Sequence, residues 1–202
     1  MIEMLKDLIL SAAAITGAIV AIKGLSTWQK QLKGQVEYAL ARRLLVSLFK
    51  YRDAINDARH PVVRAQEKSF PPEEKAKEMS QEQIHFYGLG EAYQARWNKV
   101  QSERVNLCAD LLEAEALWGD ELKRLFKTIY DLEHELSMNI RLYLEAKNPE
   151  TDDGLRRATH KIRKERRDIM YDDLSDEGDD YKKEFRKGVE NIERYLKPKL
   201  GH

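Results

Sequence analysis

Apolar residues recur along this chain at spacings of three and four and nowhere in sustained alternation, so every element the pattern predicts is a helix. From Trp28 to about Arg59, Val36, Leu40, Leu44, Leu48, Tyr51 and Ile55 share one face. His60 and Pro61 end that element, because the residue before a proline is pushed out of the helical region. A longer signal runs from about Glu91 to Lys147. Tyr93, Trp97, Val100, Leu107, Leu111, Ala114 and Trp118 follow one another on one side, with Arg104 as the one polar intrusion, and Leu122, Leu125, Ile129, Leu132 and Leu136 continue the series. From Ala114 the steps are four, four and three, a stutter beside Gly119. We expect the helix to continue through it; the alternative is that Gly119 caps one helix and Asp120 opens the next. A last helix, about Asp180 to Lys197, places Tyr181, Phe185, Val189, Ile192 and Leu196 together and stops at Pro198.

One stretch has no polar face at all. Leu8 to Ile22 is fifteen residues without a charge, between Asp7 and Lys23. As a helix it covers roughly 22 Å, and extension to residues 4–25 gives about 33 Å, enough for a hydrocarbon core of about 30 Å. Lys6 and Lys23 can then snorkel, and Trp28 sits at interfacial depth. Lys23, Lys30, Lys33, Arg42 and Arg43 follow the run against only Glu37, so the larger part is expected on the cytoplasmic side with the N-terminus outside. Ala13, Gly17 and Ala21 form a small-residue stripe that hints at self-association within lipid.

The expected fold class is therefore all-α: an N-terminal single transmembrane helix followed by a long-helix bundle or coiled coil. Residues 1–27 form the anchor. Residues 28–147 form the bundle or coiled coil, joined by a proline-containing connection at 61–80 that holds three of the five prolines. Within it a short helical turn around Glu73 to Met79 is expected, and Ser80 with Gln83 reads as a capping box for the next element. Residues 148–202 form a charge-segregated tail with its C-terminal helix. Leu44, Leu48, Trp97, Leu111, Trp118, Leu125 and Leu132 are expected to build the seams.

Composition adds limits. The 202 residues carry 35 basic and 35 acidic side chains, which argues against a protein that coats nucleic acid through its overall field. The single cysteine, Cys108, permits no intrachain disulfide and reads as a small core residue. No glycine-rich phosphate loop, nucleophile elbow or Cys and His constellation is present, so no catalytic residue is assigned and an enzyme is not expected.

Three patterns remain as candidate chemistry. Residues 156–167, RRATHKIRKERR, hold seven cations, and 172–180, DDLSDEGDD, hold six acids; mutual neutralisation is the simplest expectation, ahead of contact with anionic lipid or nucleic acid through Arg163, Lys164, Arg166 and Arg167. Asp173, Ser175, Glu177, Gly178, Asp179 and Glu184 match EF-hand loop spacing, although Glu177 is long for its place and Asp180 replaces the usual aliphatic residue, so an acidic linker is expected there. Asp57 with His60, Glu82 with His85 and Asp131 with His134 have the acid-x-x-His spacing of di-iron bundles, secure on a helix only for the last pair. No metal or cofactor is assigned. The resulting expectation is a membrane-anchored, cytoplasm-facing helical scaffold or interaction protein that contacts lipid through residues 4–25 and pairs with itself or another helical protein. A metal-binding bundle and a basic-tail binder of anionic lipid or nucleic acid are the alternatives.

Overall fold

The computed structural model describes residues 2–175 and 178–201, with side chains from Ile15 onward. Helices are α1 (Ile2–Ala58), α2 (Glu73–Ala76), α3 (Gln81–Trp118), α4 (Glu121–Lys147), α5 (Asp153–Glu165) and α6 (Asp180–Leu196), with 3-10 turns at Ala65–Glu67 and Lys197–Leu200. No strand occurs among the described residues.

The apolar faces close within one chain as a four-helix bundle. α1 packs on α3, α3 on α4, α4 on α6, and α6 back on α1. Arg43 near the start of the packed part of α1 meets Asp110 and Glu113 late in α3, while Asp57 at its end meets Lys99 midway along α3, so the two run antiparallel. Leu40, Leu44, Leu48, Tyr51 and Ile55 are fully buried, as are Val100, Leu107, Ala114, Ile129, Leu136 and Ile192. Burying each such side chain contributes roughly 1.5–3 kcal/mol, which is why the three-four spacing dictates the topology. Val36, by contrast, is exposed, and the seam begins one turn later, at Leu40.

Gly119 ends α3, contrary to the expectation of a continuous helix. Its backbone lies at φ 78° and ψ −167°, a conformation closed to residues with a Cβ, and its amide donates to the Glu115 carbonyl. Asp120 then turns the chain into α4. The stutter marks a corner, and folding back lets the two halves of the long apolar series face each other. Lys123 crosses the corner to Glu115 at 3.0 Å.

α3 starts earlier than its apolar period, at Gln81, because the capping box forms in full: the Gln83 amide donates to Ser80 Oγ at 3.2 Å and the Ser80 amide to Gln83 Oε1 at 2.7 Å. α6 enters as the fourth helix. It approaches α4 so closely at Gly188 that an added Cβ would lie 2.6 Å from Ile129 Cγ2. The bundle thus has two ends. At one lie Leu40, Ala114, Leu122 and Leu196; at the other lie Ala58, Tyr93 and Ile140, closed by Ile169 and Met170 from the segment between α5 and α6.

Candidate interaction surfaces and buried polar sites

α1 leaves the bundle as a stalk. From Ile15 to Val36 every residue is exposed, including Ile15, Ile19, Val20, Ile22, Leu25, Trp28 and Leu32. At 3.6 residues per turn, Leu25, Trp28, Leu32 and Val36 lie along one side, whereas Lys23, Lys30 and Lys33 prolong the side that becomes the seam. Lys33 pairs with Glu37 at 3.8 Å, and Ser26 and Thr27 bond back to the Lys23 carbonyl at 2.9 Å. Among the described residues no helix is long and apolar enough to cross a membrane. The span read from the sequence, residues 4–25, lies half outside the described side chains, as does Ala13 of the small-residue stripe.

Inside the bundle the polar intrusion at Arg104 finds its reason. Glu133, 2% exposed, sits on the inner face of α4 and accepts from Tyr51 Oη at 2.6 Å, Arg104 at 2.9 Å and Gln101 Nε2 at 3.1 Å. Burial, with the Glu133 charge second, raises the Tyr51 hydroxyl well above its usual range. Tyr130, beneath the Arg104 guanidinium at 4.7 Å, is raised mainly by burial as well. This is a satisfied network holding α1, α3 and α4 in register, with Glu133 buried and the Arg104 side chain 39% exposed at its outer edge.

Two buried arginines clamp the far end. Arg59 is 2% exposed, donates to the carbonyls of Ile169 at 2.8 Å and Tyr171 at 2.9 Å, pairs with Asp179 at 2.6 Å, and lies 4.4 Å over the Tyr181 ring. Arg96 ties the interhelical connection down, donating to the carbonyls of His60 and Val62 at 2.8 Å and pairing with Glu67, whose carboxyl is held below its ordinary value by that bond.

The residues with calcium-loop spacing are committed elsewhere. Asp173 accepts from the Ser175 amide and hydroxyl, Asp179 caps α6 and pairs with Arg59, and Glu184 pairs with Arg167. Lys182 reaches into the loop, its ammonium 3.1 Å from Asp172 Oδ2 and 3.4 Å from the Ser175 carbonyl, and so serves as an internal cation. Glu177 lies outside the described residues. The acid and histidine pairs are likewise dispersed: Asp57 pairs with Lys99, Asp131 with Lys127, and His60 Nδ1 lies 3.1 Å from the Val62 carbonyl. Glu82 and His85 line an open groove between α3 and the end of α4, and His134 is exposed. No group of three or more metal-ligating side chains comes together among the described residues. Cys108 is exposed rather than buried, one position around the helix from Leu107, with its sulfur 3.7 Å from the Tyr130 hydroxyl.

The basic segment folds in part as α5, capped by Asp152, whose carboxylate accepts from the amides of Gly154 at 2.7 Å and Leu155 at 3.3 Å. Of the cations expected to meet the acidic loop, Arg167 pairs instead with Glu135 and Glu184, at 2.6 and 2.9 Å. Of the loop's described carboxylates, Asp179 pairs with Arg59 just past α1 and Asp172 with Lys182 of α6. Comparison of the chain with protein-family models, with curated proteins and with solved structures finds no match.

Proposed function

We propose that this chain is a membrane-anchored, cytoplasm-facing helical scaffold that works through contacts with itself and with other proteins. Residues 4–25 would lie in the bilayer, the following turns of α1 would form a stalk, and the four-helix bundle would stand above the surface. One observation carries the reading: α1 is unbroken from Ile2 to Ala58, and its residues from Ile15 to Val36 are all exposed, presenting Ile15, Ile19, Ile22, Leu25 and Trp28. A contiguous apolar surface of that kind is maintained only where lipid or protein covers it. The lysines that follow favour the cytoplasmic orientation.

From Leu25, the last residue of the proposed lipid span, Trp28, Leu32 and Val36 continue at spacings of three, four and four, flanked by Gln29, Gln31 and Gln35 rather than by like charges. A shared membrane would hold two copies parallel, and this stripe is where they would pair. We read no enzymatic role. The test is alkaline carbonate extraction of the full chain beside one lacking residues 1–27. The expected result is full-length protein in the membrane pellet and a soluble, helical truncated form. Release of the full-length chain would overturn the anchor and make Leu8 to Ile22 a helix buried in a protein assembly.

A further inference from the structure

We propose that the outward face of α5 is a docking site for an acidic amphipathic protein segment. The inward side of this helix is fully engaged. Thr159 is buried, Arg156 donates to the carbonyls of Asn148, Pro149 and Thr151 at 3.1–3.5 Å, and Arg163 lies 5.5 Å over the Tyr143 ring. The outward side presents Arg157, His160, Lys161 and Lys164, all exposed. None of the four lies within ion-pair distance of a carboxylate among the described residues, although acids and bases are equal in number over the whole chain. Of the described carboxylates that follow, Asp179, Asp172 and Glu184 pair with Arg59, Lys182 and Arg167, and Glu165, exposed at the end of α5 itself, forms an ion pair with none of the four. Within α5 the ion pair is Arg156 with Asp153, and the four outward cations are left out of ion pairing among the described residues.

Beside the cations runs an apolar edge. Leu155 and Ile162, two turns apart, are 51% and 41% exposed, with Ala158 between them. Cations next to an apolar edge complement a helix that offers carboxylates beside leucines, through charge for encounter and the edge for retention. Nucleic acid fits less well, because the face offers no open aromatic ring for base stacking and the nearby Tyr143 is covered by Arg163. The anchoring bilayer is out of reach under the proposed function, on which this one point rests. α4 begins at the stalk end and runs 27 residues, about 40 Å, before α5 starts.

The test uses the full chain in neutral detergent micelles, which makes it independent of whether residues 4–25 span a membrane. Fluorescence anisotropy follows a labelled helical peptide with a glutamate face and a leucine strip, a scrambled peptide of the same composition, and a DNA duplex; flotation follows phosphatidylserine vesicles. At physiological salt the patterned peptide should bind more tightly than its scrambled form. Joint reversal of Arg157→Glu, Lys161→Glu and Lys164→Glu should weaken it about tenfold or more, and Leu155→Ser with Ile162→Ser about fivefold. Lys75→Glu on α2 with Lys77→Glu just after it should leave it unchanged. Circular dichroism checks that each variant remains folded, as expected for exposed positions. Equal binding of the two peptides, or indifference to the α5 substitutions, overturns the proposal. Tighter, reversal-sensitive binding of the duplex or the vesicles overturns it in favour of that class of partner.

Discussion

Arg59→Ala should be among the most damaging single substitutions in the bundle. The side chain is 2% exposed and binds two backbone carbonyls, one carboxylate and one aromatic face, all in segments more than a hundred residues away. Removing one member of a buried pair costs about 3–5 kcal/mol when the other is left sealed from water. Here Asp179 is 26% exposed and keeps its bond from the Lys182 amide, so water recovers part of its solvation. The carbonyls of Ile169 and Tyr171 then lose their donor, at roughly 1 kcal/mol or more each where water cannot reach. We expect a total loss of about 3 kcal/mol. Arg59→Lys should recover part of it, since an ammonium keeps the charge but not the fork. Urea denaturation of the full chain in micelles, followed by circular dichroism, gives the magnitude. Limited trypsinolysis gives the location, because release of Ile169 and Met170 from the bundle end should free the backbone beside the already exposed Arg166 and Arg167 for cleavage before global unfolding. A loss under about 1 kcal/mol with unchanged trypsin resistance would refute the view of Arg59 as the clasp of the far end.

Gly188→Ala should destabilise the bundle by about 1–3 kcal/mol by driving its methyl into Ile129, and combination with Ile129→Ala should cost clearly less than the two changes summed; strict additivity in the same urea titration would contradict the close approach of α4 and α6. Thermal stability should fall at both extremes of pH. On the alkaline side, burial raises Tyr51, Tyr130 and Tyr181 and pushes Tyr143 up to about 12, so their contribution is intact below the usual tyrosine value of 10.0 and is lost as pH rises past it. On the acid side, Arg96 lowers Glu67 and Arg167 lowers Glu135, while Arg59 lowers Asp179 against the upward push of its partial burial. Their contribution is present above the ordinary carboxylate values of 3.8 and 4.5 and disappears as pH falls below them. Midpoints recorded across pH that stay flat on the alkaline side would refute the burial assigned to these tyrosines.

What the sequence made legible was the core, because burial imposes a period. Leu40 to Ile55, Val100 to Ala114, Leu122 to Leu136 and Tyr181 to Leu196 were all readable on that ground, as was the cap at Ser80. The corner at Gly119 was visible as a stutter and a glycine, yet the choice between passing through and turning back depends on α6, which must fill the space the turn creates. Arg59, Arg96 and Glu133 were illegible for a related reason. A charged residue in a helical sequence belongs on the surface by default, and only the partners brought by distant segments make its burial tolerable. α5 escaped because its period is carried by cations rather than apolar residues, leaving Asp152 as the only local sign of a start. The calcium-like spacing was discounted in the sequence on its departures at Glu177 and Asp180, but a linear pattern of acids says nothing about Lys182, whose side chain returns to the loop from the following helix.

The continuity of α1 also has a mechanical side. The helix that leaves the bundle is the same one whose residues Leu40 to Ala58 lie along the core, and it runs antiparallel to α3 over that length. Tension applied through the stalk would pull α1 lengthwise past its neighbours, loading the contacts from Leu40 to Ile55 in shear so that they must yield together. A strand of contacts opened from one end would give way turn by turn at far lower force. Arg59, at the end remote from the pull, would act as the stop against which α1 slides.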